Sequence, residues 1–167
     1  MHELAITVIG PDRTGIVADV AEALAGVGAN LTDSTMTRLR GHFTMTLICT
    51  GPTPAEASAA LEALTGVVTE VREVAPEADA LAKGEPFVVS VHGADRLGIV
   101  AAVTRVVAGA GGNITDLSTR LTGTLYVIIA EVDLPEGSAD ELAERLAVAA
   151  AELGVEVTLR RAESEIL

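Results

Sequence analysis

The stretch Gly10-Pro-Asp12-Arg13-Thr-Gly15-Ile16-Val17-Ala18 returns 83 positions later as Gly93-Ala-Asp95-Arg96-Leu-Gly98-Ile99-Val100-Ala101. The same offset lays Gly28-Ala-Asn30-Leu31-Thr32-Asp33 on Gly111-Gly-Asn113-Ile114-Thr115-Asp116. From Glu3 to Asp33 roughly half of the aligned pairs are identical, without a gap. Gly41 then meets Gly123, one residue nearer, which reads as a single-residue loss in the second copy. The chain is an internal duplication, and its 167 residues suit two small domains.

Periodicity assigns the elements of each copy. Leu4 to Ile9 and Phe87 to His92 are short β-prone runs. After Gly15, apolar residues recur at Ile16, Val20, Leu24 and Val27, and Ile99, Val103 and Val107 repeat this helical stripe. Gly28 and Gly111 are the expected helix ends. Strands follow from Asn30 and Asn113, with a hairpin at Gly41-His42 or Gly123-Thr124 leading into Phe43 to Cys49 or Leu125 to Val132. A second helix starts near Pro54 or Ser138, with Leu61 and Leu64, or Leu142, Leu146 and Leu153, on its inner face. Val67 to Val74 and Val155 to Leu159 close the units. The order βαββαβ predicts an α+β protein of two ferredoxin-like domains, each an antiparallel sheet with helices on one face. The expected boundaries are 1–76 and 86–167, with an Ala-, Asp- and Glu-rich connector at 77–85.

Charge and composition exclude several functions. Asp and Glu outnumber Lys and Arg by 24 to 11, and no basic run exists. A nucleic-acid binder needs cations to neutralise phosphates, and an anionic membrane surface makes the same demand, so neither is an expected partner. Apolar residues make up 49% of the chain but aromatics only 2%, so the core must be built from aliphatic side chains. Cys49, the lone cysteine, excludes an internal disulfide or a Cys-x-x-Cys clip and reads as a small buried hydrophobe. His2, His42 and His92 are scattered without metal-ligand spacing, so no metal site is expected. Ser34, Thr35, Ser118 and Thr119 lack an evident histidine to activate them. No signal peptide and no bilayer-spanning run is visible, which points to the cytoplasm.

The chemistry gathers at the repeated turn. A helix that begins near Gly15 or Gly98 presents unpaired N–H groups and the positive end of its dipole, which suits a carboxylate or phosphate. Asp12 or Asp95 could cap that helix or accept a hydrogen bond from an ammonium group. Asn30 and Asn113 open the second strand, expected beside the first and within reach of the same crevice. Together these groups suit a zwitterionic amino acid, although Asp-Arg-x-Gly could equally be a helix-start turn and Gly-x-Asn a helix end.

Asp-Arg-x-Gly-Ile-Val opening the first helix, and Gly-x-Asn-Ile/Leu opening the second strand of a βαββαβ unit, resemble the ACT domain. In layout the chain is similar to free-standing tandem ACT proteins such as the glycine cleavage system transcriptional repressor family. The resemblance covers nearly the whole chain and implies a non-catalytic regulatory module that binds a small amino acid, uses no cofactor, and pairs into a homodimer or higher oligomer with ligands in the crevice between paired units. It implies ligand-binding residues Asp12, Arg13, Gly15, Ile16, Asn30 and Leu31 in one copy, and Asp95, Arg96, Gly98, Ile99, Asn113 and Ile114 in the other. Thr14 and Leu97 stand where the family often has proline. The implied partner is a transcription factor or metabolic enzyme, with any effect on DNA indirect. Two alternatives are a ligand-free interaction module and a detached regulatory subunit of an amino-acid biosynthetic enzyme. Acylphosphatases share the topology, but their longer glycine-rich phosphate loop is missing; RNA-recognition motifs share it too, but the stacking aromatics are missing.

Overall fold

The computed structural model describes residues 3–75 and 84–163, and the connector expected at 77–85 lies almost wholly outside them. The chain divides into two compact units, Met1–Ala78 and Asp79–Leu167. The first contains β1 (Glu3–Pro11), α1 (Ile16–Ala25), β2 (Asn30–Leu39), β3 (His42–Thr50), α2 (Pro54–Glu62) and β4 (Val68–Val74). The second contains β5 (Glu85–Ala94), α3 (Ile99–Gly109), β6 (Asn113–Thr122), β7 (Leu125–Leu134), α4 (Ala139–Leu153) and β8 (Glu156–Arg161). Both are the expected βαββαβ units.

Alternation along the central strands decides which face is covered. In β1, Leu4, Ile6 and Val8 are fully buried while their neighbours are not. They meet Phe43, Met45, Leu47 and Cys49 of β3, the α1 stripe Ile16, Val20 and Leu24, and Ala57 and Leu61 of α2. In the second unit Phe87, Val89 and Val91 pack with Ile128, Ala130 and Val132, under Ile99, Val103 and Val107 of α3 and Leu142 and Leu146 of α4. No polar or charged residue is buried among the described residues, so both cores cohere by aliphatic packing. Burial pushes the Cys49 thiol pKa up, keeping it protonated. Leu64 lies beyond α2, which stops at Glu62, and packs half-buried at the edge of the core.

The sheets are antiparallel, ordered β2-β3-β1-β4 and β6-β7-β5-β8. This overturns the expectation that the second strand lies beside the first. The β2–β3 hairpin docks through β3, so β2 and β6 become free edges. Each edge carries a bulge, between Leu31 and Asp33 and between Ile114 and Asp116. The extra residues, Thr32 and Thr115, turn their hydroxyls to the carbonyls of Ile48 (3.4 Å) and Glu131 (3.3 Å), which accounts for the repeated threonine.

The apparent one-residue loss is also corrected. Leu39 pairs with His42 around a loop of Arg40 and Gly41, and Thr122 pairs with Leu125 around Gly123 and Thr124. The two loops are still 83 residues apart. What moved is the glycine. The first loop needs positive φ at both positions, 49° at Arg40 and 80° at Gly41, as in a type I′ turn. In the second only the first position, Gly123 at 62°, has positive φ, the pattern of a type II′ turn. His42 is therefore a strand residue, outside the turn.

Gly28 and Gly111, at φ 81° and 77°, end the first helices as expected. Ala29 N–H bonds to the Leu24 carbonyl and Gly28 N–H to that of Ala25, and Gly112 and Gly111 repeat this toward Val107 and Ala108. That pair of bonds is a Schellman ending. Phe43, wholly buried, is the largest side chain of the first core. Phe43→Ala is expected to lower stability by about 3–5 kcal/mol in urea titrations followed by circular dichroism.

Candidate functional site

Each repeated loop joins a central strand to the first helix through a glycine in the left-handed region. Gly15 (φ 84°) and Gly98 (φ 87°) are the N-cap residues of α1 and α3, and neither helix has a side-chain cap. Asp12 and Asp95 thus do not cap, correcting that reading. The Asp12 N–H bonds to the Gly41 carbonyl at 2.9 Å, and that of Asp95 to Thr124 at 3.3 Å, tying each loop to its hairpin. The first intrahelical bonds run from Asp19 to Gly15 and from Ala102 to Gly98, both 2.9 Å, so the amides of residues 17–18 and 100–101 precede the ladder. Of the amides expected to hold a carboxylate, that of Ile16 already leans on the Arg13 carbonyl at 3.4 Å.

Gly10 and Gly93 have a different task from releasing the chain, since both lie within their strands. A Cβ on Gly10 would stand 2.8 Å from the Gly66 carbonyl oxygen, and one on Gly93 2.9 Å from Val155 Cγ1. Their bare backbones let the segment entering the last strand cross closely.

The topology separates residues that the linear reading brought together. Asn30 pairs with Thr50, which pairs with Glu3, whereas the repeated loop leaves β1 at the other end, beyond Pro11. Asn113 lies likewise at the Asp133 end of β7, away from Ala94. Helices of 10 and 11 residues separate loop and asparagine by about 15 Å at 1.5 Å per residue. One small ligand cannot touch Asp12 and Asn30, or Asp95 and Asn113, of the same unit.

The two copies also differ in charge. In the first, Arg13 Nη2 pairs with Asp19 Oδ2 at 2.6 Å, and Arg38 Nε lies 3.6 Å from Asp12 Oδ2. At the matching positions of the second stand Ala102 and Leu121. Arg96 reaches instead to the Glu152 carbonyl at the end of α4, 3.2 Å away, where the helix dipole is negative. Among the described residues Asp95 makes no ion pair. An open groove runs along α3 against the start of β6, lined by Gly98, Ala101, Ala102, Arg105, Asn113 and Ile114 among others. Arg105 and Ala102 were not among the residues singled out from sequence; only comparing the two copies outside their identical positions would have drawn attention to them.

His92 Nε2 lies 2.7 Å from Glu156 Oε2 across the β5–β8 pair, at an exposed strand position. No group of three or more His, Cys, Asp or Glu side chains among the described residues is arranged to hold a metal ion. No described helix is long and apolar enough to cross a membrane.

Two ferredoxin-like units, each with a loop-to-helix glycine turn and a bulged edge strand, define a tandem two-module architecture. The ACT domain family model matches residues 2–80 and 85–160, and the chain belongs to that family. A UPF0237 protein from Methanopyrus kandleri is 43% identical over 75 residues, which is 44% of this chain and 83% of that protein. Another, from Listeria monocytogenes, is 33% identical over 87 residues, 52% of this chain and 81% of its own length. A solved structure of an unknown protein from Galdieria sulphuraria superposes with TM-score 0.84 at 30% identity, covering 97% of this chain and 99% of that one. A protein assigned as a glycine cleavage system transcriptional repressor superposes at 0.71 with 22% identity, covering 98% of each, a likeness of fold.

Because nothing stands within 4 Å of a Cβ built on Gly98, its glycine requirement is conformational rather than steric. Gly98→Ala is expected to cost about 1–2 kcal/mol of stability. Thermal melts read by circular dichroism would check this, with no compensating repacking expected.

Proposed function

We propose that this protein is a non-catalytic regulator that binds a small amino acid and passes the occupancy to a protein partner, a transcription factor or a metabolic enzyme. The observation that carries the reading is the repeated, uncapped helix start, which leaves amides unsatisfied next to a carboxylate and a guanidinium. Amides beyond Gly15 or Gly98 suit a ligand carboxylate, and Asp12 or Asp95 its ammonium group. These groups bind and orient, and they include no nucleophile with an activating base.

Asparagine joins such a site only across a pair of units. The β2 strand starts at Asn30 and ends at Leu39, next to the loop of its own unit. An antiparallel match between this edge and the same edge of a second copy sets Asn30 of one copy at the loop end of the other. This supports a homo-oligomer as the binding species, with Leu31 and Ile114 contributing beside the asparagines. Ligand binding changes partner affinity to the extent that it favours one paired state. Leu97, 99% exposed at the tip of its loop, gives a partner an apolar contact next to the ligand.

Isothermal titration of the full chain against the standard amino acids is expected to reveal binding by a small one. Asn30→Ala and Asn113→Ala together should weaken it about tenfold or more. Silence from every amino acid at millimolar concentration would sink the sensing reading.

A further inference from the structure

We infer that the second unit alone takes the amino acid, and that Arg105 in the α3–β6 groove receives its carboxylate. This inference rests on the amino-acid reading above, names the occupied unit, and moves the carboxylate contact there from the amides beyond Gly98 to Arg105, about 10 Å further along α3.

The two copies differ at positions that line this groove. The groove-facing side of α3 presents Gly98, Ala101, Ala102 and Arg105, whose counterparts on α1 are Gly15, Ala18, Asp19 and Glu22. An alanine replaces an aspartate, and an arginine replaces a glutamate. Counting the loop residues and position 38 or 121 as well, the first unit sets Asp12, Asp19 and Glu22 against Arg13 and Arg38. The second sets Arg96 and Arg105 against Asp95 alone. The balance changes sign between units of the same fold, although the chain as a whole carries a formal charge of −13.

Local contacts strengthen the contrast. Asp19, in the first turn of α1, already compensates that helix dipole and holds Arg13 at 2.6 Å. A carboxylate arriving there would meet Asp19 and Glu22 as like charges. The first turn of α3 contains no acidic residue, and among the described residues Arg105 makes no ion pair or hydrogen bond of its own. Its guanidinium shares the groove with Asn113, over a floor of Ala108 and Gly112 that leaves room beside it. A planar fork of donors beside an amide suits a carboxylate in bidentate contact.

The test uses the intact chain with glycine, L-serine and L-valine as probes, followed by isothermal titration and by NMR of the Asn30 and Asn113 side-chain amides. One equivalent per chain is expected, with the Asn113 signal shifting and that of Asn30 staying in place. Arg105→Glu should weaken binding at least about tenfold, and Arg105→Lys should retain part of it. The reciprocal pair Asp19→Ala and Glu22→Arg, at helix positions outside the core, should raise the stoichiometry from one to two. Equal response of both asparagines, or unchanged affinity in Arg105→Glu, would overturn the inference and leave amino-acid binding intact. So would an Arg105→Glu effect confined to sedimentation behaviour, which would assign the groove to the acidic α1 face of a second copy. Failure of all three probes, with another amino acid binding the first unit, also overturns it; failure of every amino acid removes the underlying reading as well.

Discussion

Strict alternation on the central strands is the constraint from which the rest follows. Leu4, Ile6 and Val8 on β1, and Phe87, Val89 and Val91 on β5, send their large side chains to one face, and the helices must cover that face. With almost no aromatic side chains available, coverage depends on close contact between Val, Leu, Ile and Ala. Close contact in turn requires bare backbone at Gly10 and Gly93, where the segments containing Val67 and Val155 cross. The repeated loops inherit their place from this arrangement. They leave the covered strand at its end and must turn at once into a covering helix, which a left-handed glycine permits without a side-chain cap.

The fold was legible because its signals are local and occur twice. The period-two runs, the stripe from Ile16 to Leu24, the Schellman glycines at 28 and 111 and the helix-start proline at 54 each act within a few residues. The strand order was less legible, since adjacency in sequence says nothing about which hairpin strand docks on β1. That is why the sequence reading sets Asn30 beside the repeated loop, whereas β3 lies between their strands and the two sit at opposite ends of the sheet. The hairpin glycines misled for a related reason. Gly41 and Gly123 look like equivalent residues displaced by one, while backbone pairing shows equal loops with positive φ required at different positions.

The candidate site divides along the same line. Gly15, Gly98 and the two loop aspartates could be found from the repeat because they are identical in both copies. Arg105 could not, because it is the place where the copies disagree, and a motif search rewards agreement. Duplication preserves what the fold needs at Gly15 and Gly98. It leaves helix positions outside the core, half-buried at 19 and 102 and exposed at 22 and 105, free to change charge with little effect on stability. Divergence of charge within a shared scaffold is therefore written on the helix surface more than in the turn.

The bulges at Thr32 and Thr115 have a consequence for how the edges can be extended. A bulge interrupts the regular spacing of outward N–H and C=O groups, so a strand laid along Asp33–Leu39 cannot keep its ladder in step past Thr32. Asn30 and Leu31 are left outside any such ladder, as are Asn113 and Ile114 on the other edge. The kink works as a stop on strand addition. In an edge-to-edge pairing of two copies it would end the seam at one extra threonine, with an asparagine just beyond it.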